Sequence, residues 1–249
     1  MNCVILAAGH GSRLRALSDS KPLTMLSGTP LIERVIIAAT EAGARDFVVV
    51  TGHAADRVEA HLATLAGRLG VAVTAVRTPD WDRPNGFSVL AGAEAIRGAY
   101  LLLMSDHLFD PEIPRRLLRD APPEADLTLA VDRDPENPLL DLEDATRVEV
   151  ASDGRIVRIG KSIALFNAID TGIFLATPAL AEAIRADVEA GGGGSLSEGV
   201  QRLADRGTAF TTDSGGHPWI DVDDPVSFAA AEAMMAGRAL PKGAARDWE

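Results

Sequence analysis

The 249-residue chain is predicted to fold as an α/β protein, with a Rossmann-like, mostly parallel sheet, helices on both faces and a small β-hairpin insertion. Three features predict it. Apolar runs of strand length alternate with amphipathic segments of helical period. The first run ends in a glycine-rich turn followed by basic residues, and the fourth ends in an aspartate. In such sheets ligands lie beyond the carboxyl ends of the strands, and both features fall there.

Val4-Ile5-Leu6 is the first buried strand. Residues 31–42 (LIERVIIAATEA) have a helical period and stop at Gly43. Residues 47–51 form a second strand, 56–69 a helix, 71–76 a third strand, 87–95 a helix and 100–104 a fourth strand leading into Ser105-Asp106-His107. Beyond Leu127 the rhythm changes. Residues 128–131 read as a strand, and 146–150 with 155–159 as a hairpin about Asp153-Gly154, a strong turn pair. Residues 169–175 are a further strand, followed by helices at 178–189 and 197–205 joined by Gly191–Gly194, read as a flexible connector. A late strand at 219–222 and a last helix at 225–236, with Asp224 as its cap before Pro225, complete one domain over residues 1–237. Residues 238–249 are expected to form a frayed tail.

Composition narrows the function. A net charge of −12 argues against nucleic acid as the main partner, because phosphate backbones require a basic face. No apolar run reaches the roughly 18 residues of a membrane span, and the first residues lack a basic, cleavable leader, so a cytoplasmic protein without direct membrane insertion is expected. The single cysteine, Cys3, excludes an intrachain disulfide and reads as a small core residue. The five histidines show no zinc-like spacing.

The candidate chemistry begins with Leu6-Ala7-Ala8-Gly9, Gly11-Ser12-Arg13 and Lys21. Glycines lacking Cβ let backbone N–H groups close on phosphate oxygens, and Arg and Lys add positive charge, so the segment reads as a nucleoside-triphosphate cradle. It matches neither the Walker pattern nor G-x-G-x-x-G. Asp106 ends an apolar strand, a common way to present a carboxylate to Mg²⁺, although taken alone it reads more readily as the cap of the next helix. Asp221 and Asp223, two apart in a strand, share a face and can point toward Asp106. Asn85-Gly86-Phe87-Ser88 is a turn at a helix start on the ligand side.

Leu6-Ala7-Ala8-Gly9, Gly11-Ser12-Arg13-Leu14 and Lys21-Pro22-Leu23 resemble the signature of nucleotidyltransferases that make sugar nucleotides and CDP-alcohols. That resemblance implies the nucleotide-diphospho-sugar transferase fold, with Mg²⁺ held by Asp106 and a late W-x-D aspartate. It also implies a nucleotide cleft formed by the loop with Asn85, Gly86, Ser88 and Ser105. Asp224 stands where many relatives have Thr. Asp106-His107, Gly160-Lys161, Asn167–Gly172 and Trp219–Asp223 look most like CTP:inositol-1-phosphate cytidylyltransferases. This likeness implies that CTP and inositol 1-phosphate give CDP-inositol and pyrophosphate, with Arg13 on the β/γ-phosphates and Lys21 on the α-phosphate. His107, Lys161, Asn167, Asp170, Thr171 and Gly172 would meet the acceptor. A lysine neutralises its phosphate, and a carboxylate accepts from two ring hydroxyls. A membrane CDP-alcohol transferase would act downstream. Two alternatives remain at this level. One is a nucleotidyltransferase acting on phosphocholine or a sugar 1-phosphate, although an aromatic content of 4% is poor material for a choline cage. The other is a non-catalytic nucleotide-binding regulatory module. The chain does not reveal an oligomeric state.

Overall fold

The computed structural model describes residues 1–134, 137 and 139–237. The expected tail at 238–249 therefore lies outside the described residues. In chain order the elements are β1 (Asn2–Ala7), two 3₁₀ turns (Ser12–Leu14 and Lys21–Leu23), β2 (Met25–Leu26), β3 (Thr29–Pro30), α1 (Leu31–Glu41), β4 (Asp46–Thr51), α2 (Ala55–Leu69), β5 (Ala72–Arg77), α3 (Gly86–Glu94), β6 (Tyr100–Met104), β7 (His107–Phe109), α4 (Glu112–Asp120), β8 (Leu127–Asp132), β9 (Arg147–Val150), β10 (Ile156–Gly160), β11 (Ala168–Ala176), α5 (Ala179–Glu189), α6 (Leu196–Asp205), β12 (Ala209–Asp213), β13 (Trp219–Asp221) and α7 (Pro225–Met235).

The sheet runs β5-β4-β1-β6-β11, and β11 continues to β8 and β12 on one side while its start also carries the β9–β10 hairpin. β5, β4, β1 and β6 are parallel, as the alternation of strands and helices predicts, and β11 is antiparallel to β6, β8 and β9. Because side chains alternate across a strand, β1 feeds two cores. Val4, Leu6 and Ala8 face one layer with Val89, Leu180, Ile184, Val200 and Leu203 from α3, α5 and α6. Cys3, Ile5 and Ala7 face the other with Ile32, Val35, Val58, Leu62, Ile113 and Leu117 from α1, α2 and α4. Cys3 is fully buried there, and burial pushes its thiol pKa up, as befits an inert core residue.

A third, smaller core sits at the carboxyl end of the sheet. Leu14, Leu26, Leu31, Leu108, Ile220, Val222, Ala230 and Ala231 bind the glycine loop, the β2–β3 hairpin, β7, β13 and α7 into one cluster. Asp224 caps α7 through the Val226 and Ser227 N–H groups at 2.9 and 2.8 Å, as expected.

Two expectations change. β13 ends at Asp221, because the Val222 N–H turns to donate to the Asp106 carbonyl at 3.0 Å, so Asp223 lies in the following loop rather than on a shared strand face. Gly191–Gly194 is a built loop. Asp187 accepts from the Gly194 N–H at 3.1 Å, and Glu198 accepts from the Gly193 N–H at 3.1 Å while completing a capping box with Ser195. The short β7, α4 and β12 had no counterpart in the reading of the sequence.

Gly92 of α3 lies against β1 and β4, where an added Cβ would meet Val4 Cγ1 at 2.7 Å and Val50 Cγ2 at 2.9 Å. Gly92→Val should overpack this seam and cost about 2–3 kcal/mol, read as a lower denaturant midpoint in chemical unfolding.

Candidate active site

The glycine loop leaves β1 with Gly11 in the left-handed region at φ 62°. A Cβ there would fall on the Lys21 side chain, so Gly11 makes room for the lysine. Gly9 has nothing within 4 Å of an added Cβ and leaves its side of the loop open. Leu6, Ala8, Gly9, Gly11, Ser12, Arg13, Lys21, Asn85, Ser88, Ser105 and Asp106 line a cleft of about 410 Å³. Ala7 points into the opposite core. Gly86 is buried, and its missing Cβ admits the Gly194 carbonyl rather than a ligand. Asn85 Oδ1 accepts from the Leu196 N–H at 2.9 Å, which ties α3 to α6.

Lys21 is buried, with its ammonium among carboxylates: it pairs with Asp106 and Asp223 and lies 3.9 Å from Asp221. Burial opposes its charge, but Asp106, Asp221 and Asp223 outweigh that and hold its pKa above the ordinary lysine range. Burial likewise opposes ionisation of Asp106, yet Lys21 and His107 draw it well below the usual carboxylate range. The β7–β13 ladder sets Asp221 opposite His107. His107 Nδ1 is 3.0 Å from Asp106 and 3.5 Å from Asp221. Burial disfavours the imidazolium, but Asp221 and Asp106 raise its pKa to about 9. For Asp221 burial prevails: despite the attraction of His107, burial and the nearby Asp106 push it up to about 7. Asp221 Oδ1 is buried without a hydrogen-bond partner. Asp106, His107 and Asp221 each offer one ligand atom, and these lie within 4.8 Å of one another.

A second cavity of about 460 Å³ adjoins the cleft, and the two share Arg13, His107, Asp221 and Asp223 in their walls. Lys161, Asp170 and Gly172 line this cavity. The register of β11 shifts between Asp170 and Phe174, and at this irregularity Asp170 Oδ1 accepts the Gly172 N–H at 2.7 Å. Gly172, at φ 75°, packs under the His107 ring and has no space for a Cβ. Burial raises the Asp170 pKa to about 6.

Asn167 and Thr171 do not join the cavity lining. The Asn167 amide clasps Val150 through two backbone hydrogen bonds, at 2.8 and 2.9 Å, and anchors the hairpin. Thr171 is fully buried, and its hydroxyl donates to the Ala130 carbonyl at 2.7 Å. Both side chains serve the strand ladder.

Other residues escaped the sequence reading. Asp144, in the β8–β9 loop, pairs with Arg13 at 2.7 Å and with Lys161. Buried Asp132 accepts from Trp219 Nε1 and from Asn137 Nδ2, each at 2.8 Å, and so ties the same loop to β13. The Trp219 ring stacks on His107 at 6.4 Å between centroids. Trp81 and Arg83 join the cleft wall. Only the density of acids around Asp144 marked it in the sequence, and that pattern alone points to no chemistry.

A parallel sheet with a cation-bearing glycine loop and facing carboxylates at its carboxyl end is the architecture of a nucleotidyl-transferring enzyme. Residues 3–196 match the MobA-like NTP transferase domain, and the chain belongs to that family. It is 37% identical over 241 residues to the "Bifunctional IPC transferase and DIPP synthase" of Rubrobacter xylanophilus, covering 95% of this chain and 52% of that protein. A protein of the same name from Thermococcus kodakarensis is 30% identical over 238 residues, covering 95% of this chain and 51% of the relative. The chain thus spans about half the length of these relatives. Among solved structures, the inositol-1-phosphate CTP transferase from T. maritima superposes with a TM-score of 0.82 at 25% identity, covering 96% of this chain and 97% of the other. Among the described residues no helix is long and apolar enough to cross a membrane.

The raised pKa values of Asp221 and His107 set a sign for stability without divalent metal. An Asp221 pKa of about 7 in the fold, against an ordinary 3.8, means that its contribution is present below about pH 4 and lost as pH rises through 7. His107 adds a loss through about pH 9. In EDTA the melting temperature should fall between pH 5 and 9, and Asp221→Asn should flatten the lower part of that fall. Parallel melting curves for variant and parent across the range would contradict this.

Proposed function

We propose that the protein is a cytidylyltransferase that joins CTP and inositol 1-phosphate to form CDP-inositol, releasing pyrophosphate. The observation that carries this reading is the shared wall of Arg13, His107, Asp221 and Asp223 between the glycine-loop cleft and a cavity bearing Lys161 and Asp170. Two phosphorylated substrates placed on either side meet at this wall, with Lys21 on the cleft side of it. The names of the Rubrobacter and Thermococcus relatives and of the T. maritima structure support the choice of substrates.

The acceptor phosphate needs no general base, since its second pKa is about 6 and it is largely dianionic at neutral pH. Its oxygen attacks the α-phosphorus in line with the departing pyrophosphate, so the protein contributes position and charge. Lys21, pinned by its carboxylates, faces the α-phosphate, and Arg13 faces the β- and γ-phosphates. Lys161 neutralises the acceptor phosphate, and Asp170 accepts from ring hydroxyls. The unpartnered buried oxygen of Asp221 and the nearby Asp106 suit a hard cation such as Mg²⁺, and these two carboxylates would hold it, with Asp223 beside them. When bound, Mg²⁺ neutralises phosphate charge and polarises the α-phosphoryl group. His107, protonated toward the carboxylates, orients them rather than ligating. We place the enzyme in the cytoplasm, where a membrane-bound transferase would consume the CDP-alcohol.

A panel of four nucleoside triphosphates against inositol 1-phosphate, glucose 1-phosphate and phosphocholine, followed by pyrophosphate release, tests the reading. The highest kcat/KM should fall to CTP with inositol 1-phosphate, by about tenfold or more over the other acceptors, on the order of 1.4 kcal/mol. A preference for another acceptor would replace the substrate assignment, and no release with any pair would remove the activity.

Lys21→Ala should lower kcat by about 10² to 10³ with a smaller effect on nucleotide binding, because charge on the α-phosphate grows in the transition state. Turnover within a few-fold of the parent would deny Lys21 that role.

A further inference from the structure

Asp144 divides its two oxygens between two cations from different parts of the chain. Oδ2 accepts from Arg13 Nη2 at 2.7 Å, and Oδ1 takes Lys161 Nζ. Arg13 belongs to the loop after β1, Lys161 follows β10, and Asp144 lies between β8 and β9. We infer that Asp144 is a shared, displaceable counter-ion that couples the two substrate subsites, so that a phosphate arriving at either Arg13 or Lys161 frees the other cation for its own ligand. The inference rests on the assignment of the two cavities made above.

Three observations support the exchange. Among the described residues Asp144 is not in the group of possible metal ligands at Asp106, His107 and Asp221, so a cation held there would not draw on its oxygens. Its side chain is 32% exposed and that of Lys161 is 59% exposed, so each can turn into water at little cost. Its carboxylate is held below the usual range: burial opposes ionisation, but Lys161 and Arg13 prevail, and it stays an anion that competes with phosphate. A carboxylate and a phosphate cannot share one exposed ammonium without repulsion. Arg13 keeps Asp223 as a second partner at 2.6 Å, so the loop retains its shape when Asp144 leaves. Because each phosphate displaces the same carboxylate, binding of one lowers the cost of binding the other, and linkage makes the effect equal in both directions.

Isothermal titration of the full chain with inositol 1-phosphate, with and without saturating magnesium pyrophosphate, tests this without turnover, since the pair cannot react. Pyrophosphate should tighten inositol 1-phosphate binding by about three- to tenfold, the scale of one or two partly exposed ion pairs. Asp144→Asn, isosteric and uncharged, should bind each ligand alone more tightly by a similar factor and show no further coupling. Equal coupling in parent and variant would overturn the inference. So would weaker inositol 1-phosphate binding by the variant, which would make Asp144 a contact to the ring. Inorganic phosphate in place of inositol 1-phosphate, with Lys161→Ala to locate it, should show the same coupling whatever the true acceptor. This arm separates failure of the coupling from a wrong choice of substrate.

Discussion

The burial of the Lys21 ammonium among carboxylates is the constraint around which this end of the molecule is arranged. Removing an ammonium from water costs several kcal/mol unless partners replace the hydration. Here the partners come from two distant segments: Asp106 from the end of β6, and Asp221 with Asp223 from the strand and loop before α7. Meeting that requirement ties the β7–β13 ladder, the Val222 turn and the cap of α7 to the glycine loop. It also explains Gly11, whose absent Cβ is the space that the lysine side chain fills. The glycine loop and its lysine are thus one packed unit, not separate features of a motif.

The same cluster is poised electrostatically for a charged visitor. Burial, with the neighbouring Asp106 and Asp223, leaves Asp221 with a raised pKa, and its Oδ1 makes no hydrogen bond. In a chain of net charge −12, fixed cations must offset the repulsion a polyphosphate would meet. Arg13, Lys21 and Lys161 are the cations placed here, each held by a paired carboxylate. Paired cations keep defined positions, which reduces the reorganisation required when ligands arrive.

One wall of the second cavity comes from an irregular strand. β11 begins against β9, continues along β8 and β6, and changes register between Asp170 and Phe174. Alternation along the strand sends Asp170 and Gly172 to the cavity side and Thr171 into the core, where it bonds Ala130. Asn167, just ahead of the strand, spends its amide on Val150 and so holds the hairpin from which Lys161 extends.

Much of this was legible from the sequence, for identifiable reasons. The alternation of apolar runs and helical periods was enough for the parallel β5-β4-β1-β6 series, in which β4, β1 and β6 are buried on both faces and β5 forms the more exposed edge. The spacing of Gly9, Gly11, Arg13 and Lys21, with Asp106 at a strand end, was enough to bring them to one cleft, because those contacts are local or lie at the same sheet edge. Short elements such as β7 and β12 lack the length for a periodic signal, and helix α4 begins with prolines that hid its apolar face. Asp132 and Asp144 act through partners that lie far away in the chain, so nothing beside them in sequence marks their roles. By itself, then, the sequence determined the fold class and the residues that line the glycine-loop cleft, which follow from local periodicity and turn chemistry. Only the tertiary structure decided which carboxylate faces which cation, that Asn167 and Thr171 turn away, and that two cavities share one charged wall, because those relations arise when segments distant in sequence pack together.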